Sequence, residues 1–148
     1  MGISRADPTG RDFPLLDVEG WAETSPIDPF NNCIAWAAGD DRRWWQPDPP
    51  DDGYWPQNLP NEPTVAAFEA LFGQLGYASC QTDELEDGFE KIAIYAKEGE
   101  VTHTARQLPN GRWTSKLGQN IDIEHTLRGL QGPAYGEVVR FLNRRRQA

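Results

Sequence analysis

The chain of 148 residues is short of the residue types that staple, span a membrane or grip polyanions. Two cysteines and one methionine fit a reduced, cytoplasmic protein better than a secreted domain stapled by disulfides. No apolar run approaches the roughly 20 residues that cross a bilayer, and Met1 to Pro8 lacks the apolar core of a secretory signal. Basic residues are scarce as well. Fourteen Lys and Arg stand against 23 Asp and Glu, a net charge of −9. Counterion release from phosphates needs a basic face, so a nucleic-acid partner is not expected. Neither a P-loop nor Gly-x-Gly-x-x-Gly occurs, which leaves out the common nucleotide cradles. Cys33, His103 and His125 are zinc-competent by type, but no Cys-x-x-Cys or His-x-x-x-His spacing supports a metal. No cofactor is expected.

What is present points to an ordered domain. Aromatics make up 11% of the chain, with six Trp, and they argue against disorder in spite of a mean hydropathy of −0.69. A single domain over 1–148 is predicted, because a chain of this length buries roughly 68–70% of its unfolded surface. Residues 1–100 carry 6 basic and 20 acidic side chains, and residues 101–148 carry 8 and 3. The basic end, Arg140 and Arg144 to Arg146, reads as a frayed tail over 143–148 or as an internal partner for acidic loops.

Residues 1–30 form an irregular Asp-, Pro- and Gly-rich segment anchored by Phe13-Pro14-Leu15-Leu16 and Trp21. Asn31 or Asn32 can cap a short helix that ends near Gly39. Six of the twelve prolines fall in 40–63, and this Pro/Trp-rich loop admits no long helix or central strand. A helix follows from Pro63-Thr64, with Val65, Phe68, Leu71, Phe72 and Leu75 on one face and Gly76 at its end. Strands are then predicted at 77–80, 89–96, 100–108 and 113–117. A loop or short helix follows over 121–132, and a closing strand or helix over 135–143. Asn110-Gly111 predicts a type I′ hairpin turn. That turn sets His103 opposite Gly118 and Ala105 opposite Lys116. Helices first and an antiparallel meander second is an α+β pattern: N-terminal helices packed on an antiparallel sheet of about four to six strands.

The chemistry-bearing residues are Cys33 and, 70 positions downstream, His103. A cysteine at a helix start meets a positive dipole end and unpaired N–H groups that favour the thiolate, and a strand-borne imidazole can take its proton. Asn31 and Asn32 are candidate oxyanion donors. The imidazole needs an orienting partner, for which Asp122 leads and Asn120 is the alternative, with His125 and Lys116 behind them. Trp36, Trp44, Trp45 and Trp55 either wall a substrate cleft or cover a core edge. Cys80, at the end of a short strand, reads as core. A Cys33–Cys80 disulfide is the competing state.

The stretch Asn32-Cys33-Ile34-Ala35-Trp36-Ala37 resembles the nucleophile helix of the papain-like superfamily. The His103 strand, after Ile92-Ala93-Ile94-Tyr95, is similar to the His strand of bacterial NlpC-type peptidases. That resemblance implies a papain-like (NlpC-like) fold and acyl-enzyme chemistry on amide, peptide or related acyl bonds. Cys33 attacks, and His103 serves as base and then as acid. The NlpC-type motif has Asp before the cysteine and Ser-Gly after it, where this chain has Asn32 and Ile34-Ala35. More narrowly, Glu90 to Ala96, His103-x-Ala105-Arg106-Gln107-Leu108, Trp113 to Gly118 and Asp122-Ile123-x-His125 resemble a bacterial domain family of unknown function. A rival reading is a non-catalytic module, an immunity-type or adaptor protein. Its acidic segment and Trp-Pro loop would meet a protein partner. No membrane partner is expected.

Overall fold

A computed structural model describes residues 13–25, 44–45, 53–116 and 122–145. A helical turn α1 (Leu16–Glu19) leads into β1 (Ala22–Ser25), and two short strands, β2 (Trp44–Trp45) and β3 (Gly53–Tyr54), pair in parallel. Helix α2 (Val65–Gln74) follows. Six strands come after it: β4 (Ala78–Cys80), β5 (Phe89–Lys97), β6 (Glu100–Gln107), β7 (Trp113–Lys116), β8 (Asp122–His125) and β9 (Glu137–Arg145), with a 3-10 turn at Arg128–Leu130. All but β2 and β3 form one seven-stranded sheet in the order β1-β8-β7-β6-β5-β9-β4. Every pairing in it is antiparallel.

This architecture overturns the expected layer of N-terminal helices on a four- to six-stranded, papain-like sheet. The described residues form a largely β fold, in which α2 is the one helix longer than a single turn. Two segments account for the difference. Ala22–Ser25 adds an edge strand, and Asp122–His125, read as loop or short helix, is the strand that it pairs with. The inward positions of β8 are Ile123 and a histidine, both buried, and an inward histidine hides the period-two apolar signal.

Helix α2 forms where the spacing predicts. Thr64 caps it, its hydroxyl accepting from the Ala67 N–H at 3.2 Å. Its Ala67, Phe68, Leu71 and Phe72 pack with Trp55 and Tyr77 on the sheet face made by Ile92, Ile94, Val101 and Leu142. The opposite face, with Ala93, Tyr95, Ala105, Trp113 and Ile123, is covered by Phe13, Leu130 and Tyr135. Lys91 to Ala96 are therefore buried without alternation, as a central strand packed on both sides requires. Basic groups of β9 pair with acidic ones of its neighbours: Arg144 with Glu90 at 2.7 Å and Arg140 with Glu69 at 3.6 Å.

The hairpins correct one register. The two-residue turn with both central φ positive falls at Glu98 (54°) and Gly99 (84°), joining β5 to β6. At Pro109-Asn110-Gly111 only Gly111 has positive φ (88°), and the Leu108 N–H donates to the Arg112 carbonyl at 2.7 Å around a three-residue loop. Proline fixes φ near −65°, so the chain enters a type I turn, and the glycine supplies the bulge. Arg106 then faces Thr114, and Ala105 stands opposite Ser115 rather than Lys116. Gly118, expected opposite His103, lies outside the described residues.

Candidate functional site

Strand β6 brings His103 to the face away from α2, where it pairs with Tyr95 of β5. The imidazole is fully buried. It stacks on Tyr135 with centroids 4.2 Å apart and planes 6° from parallel, and it meets Tyr95 edge-on at 5.6 Å. Among the described residues neither Nδ1 nor Nε2 has a hydrogen-bond partner. Burial, reinforced by nearby His125, holds its pKa well below 6.5. His103 is thus a neutral imidazole whose nitrogens are both unengaged among the described residues.

A second buried polar pair lies one and two strands away, on β7 and β8. His125 Nδ1 lies 2.7 Å from the Thr126 carbonyl, which can only accept, so Nδ1 carries the hydrogen. Nε2 is therefore the acceptor, and the Ser115 hydroxyl donates to it at 2.7 Å. Both residues are buried. Burial first, and then the Arg112 guanidinium, bring the His125 pKa down to about 4, against the raising effect of its bond to Thr126. Arg112 is itself anchored on Glu124 at 2.9 Å. The Tyr95 hydroxyl donates to the Leu127 carbonyl at 2.8 Å. A shallow groove of about 410 Å³, lined by Pro14, Leu15, Gln131, Gly132, Gly136 and Glu137, runs along the turn that carries Tyr135.

Two buried neutral imidazoles make stability depend on pH. Unfolded, each titrates near 6.5, whereas His125 in the fold does so near 4 and His103 well below 6.5. Below about pH 6.5 the unfolded chain binds protons that the native state refuses. Their contribution is therefore complete above that value and declines as the pH falls toward 4. Urea midpoints should drop between about pH 7 and 5 in the native chain and less steeply in His125→Gln. Equal slopes for the two proteins would contradict this.

Of the other candidates, Cys33, Asn31, Asn32, Trp36 and Asn120 lie outside the described residues. Asp122 opens β8, its backbone paired with Lys116 and Ser25. Trp44 and Trp45 form β2. Trp55 is buried beside Phe68, with rings 5.2 Å apart, and its Nε1 donates to the Pro60 carbonyl at 2.9 Å. It packs against the sheet face opposite His103. Cys80 is a half-buried thiol on edge strand β4, and burial raises its pKa. Among the described residues no three His, Cys, Asp or Glu side chains gather as a metal site. Nor does any described helix have the length and apolarity to cross a membrane. Sequence reasoning missed Ser115 and Tyr135. Ser115 needed the correct hairpin register, and Tyr135 carries no local signal for its place over His103.

The described residues define an antiparallel sheet domain that buries two neutral imidazoles, His103 and His125, on its non-helical face. The chain belongs to the family described as Domain of unknown function (DUF7689), whose model matches residues 22–143. No curated protein and no solved structure matches it.

Proposed function

We propose that the domain is a cysteine hydrolase or acyltransferase acting on amide, peptide or related acyl bonds, with Cys33 as nucleophile and His103 as base. The observation that carries this reading is His103 itself. Among the described residues both nitrogens of this buried imidazole lack partners, an unmet polar group costs about 1–3 kcal/mol, and a catalytic role is one that accounts for it. Held neutral, it is in the form that accepts a proton. As sulfur attacks the acyl carbon, the thiol proton passes to the imidazole and the carbonyl electrons move onto oxygen. The imidazolium then protonates the leaving group, and water or another acceptor cleaves the thioester. Asn31 or Asn32 would hold the oxyanion, and Asp122 or Asn120 would orient the ring. The chemistry does not depend on a papain-like fold, since such sites recur on unrelated folds.

Iodoacetamide alkylation of the intact chain tests this. Fast labelling should vanish in Cys33→Ala, survive in Cys80→Ala, and slow at least about tenfold at neutral pH in His103→Ala. Equal Cys33 labelling in the native chain and His103→Ala would sink the reading and favour a non-catalytic binding module.

A further inference from the structure

Resting on the hydrolase reading above, we infer that Tyr135 is the positioning residue of His103: its ring fixes the imidazole plane and presents a π face to the imidazolium that forms during acyl transfer. The stack is coplanar within 6° at 4.2 Å. The other ring contacts of Tyr135, with Phe13 at 57° and with Tyr95 at 56°, are tilted as core aromatics commonly are. A parallel partner restricts rotation of the imidazole about χ2 and leaves its edge nitrogens uncovered.

The turn that carries Tyr135 is bonded to the His103 strand, to β5 and within itself. Thr102, the neighbour of His103 on β6, donates its hydroxyl to the Tyr135 carbonyl at 2.6 Å. Gly132 and Gly136 exchange N–H···O=C bonds of 3.1 and 2.8 Å. Lys97 donates to the Pro133 carbonyl at 2.6 Å, and the Val138 N–H donates to Gln131 Oε1 at 3.2 Å. These ties set the ring height over β6 independently of the aromatic contact.

The electrostatic role follows from the neighbours. Among the described residues the titratable groups in ring contact with His103 are Tyr95 from β5 and Tyr135 from the turn, and His125 from β8 acts on it electrostatically. Tyr95 donates its hydrogen to Leu127, and His125 is held by Ser115 and Thr126. None of these described groups is an anion, so among the described residues the negative π face of Tyr135 is what a transient imidazolium meets at contact distance.

The experiment uses the whole chain and both cysteines. In the native protein the His103 ring protons should resonate upfield of the His125 ones, as a parallel stack requires; these are the only two histidines, so their signals are separable. Normal shifts for both would overturn the stack. At neutral pH, Tyr135→Phe should alkylate Cys33 within about twofold of the native rate, and Tyr135→Met, similar in bulk but without a π face, about tenfold more slowly. Cys80 alkylation in the same sample separates causes: unfolding speeds labelling at both thiols, whereas lost positioning slows Cys33 alone. Native Cys33 rates in Tyr135→Met, with His103→Ala still slow, would remove this inference alone. Rates indifferent to His103→Ala would remove the hydrolase reading as well.

Discussion

Phe68→Ala should lower the unfolding free energy by about 3–5 kcal/mol, the usual range for truncating a fully buried phenylalanine. Phe68 has no exposed surface and sits at the centre of α2's inward face, against Trp55 and the Ile92/Ile94 side of the sheet. The transfer term and the cavity term both apply, because α2 is pinned at its start by Thr64 and tied to the sheet through Val101, whose N–H donates to the Pro63 carbonyl at 2.8 Å. It therefore cannot simply settle into the gap. Against a typical total of about 5–15 kcal/mol this is a large fraction, and a domain of this size should lose roughly 10 °C in melting temperature. Urea denaturation should show a lower midpoint at unchanged slope. A loss under about 1 kcal/mol would mean that this face collapses freely and that the helix does not anchor it.

Gly136→Ala should cost about 3 kcal/mol or more, from two additive causes. The residue has a φ of +76°, a left-handed conformation that side chains resist. A Cβ there would also overlap the Ala96 carbonyl, where the β5 register shifts against β6. Gly88 is the internal control, with φ +81° and, among the described residues, no atom within 4 Å of the point a Cβ would occupy. Its alanine variant should lose only about 1–2 kcal/mol. The difference between the two melts isolates the backbone contact, and equal losses would show that the contact is relieved by a small shift. Because Gly136 follows Tyr135 directly, Gly136→Ala should also broaden the His103 ring signals.

Several elements were legible because their cause is local. The i, i+3, i+4 spacing of Val65, Phe68, Leu71 and Phe72 encodes α2, and Thr64 and Gly76 bound it. The unbroken run through Ile92 to Ala96 encodes a strand buried on both faces. Elsewhere a local rule met a competing one. Asn-Gly commonly makes a type I′ turn, but the preceding proline turned Pro109 to Gly111 into a three-residue loop. A one-residue change of register turns every following side chain to the other face. That change put Ser115, and not Lys116, on the face of Ala105.

What the sequence alone determined is the residue chemistry and the local elements: an acidic, cysteine-poor chain, one amphipathic helix, a strand meander, and His103 on a strand. These rest on composition, side-chain period and turn preferences within a few residues. Only the tertiary structure decided that Ala22–Ser25 and Asp122–His125 pair across about 100 residues of chain to complete the sheet. It also decided that Tyr135 lies flat on His103. Contacts between distant segments depend on which faces are left uncovered once the local elements have formed, and no local pattern encodes that.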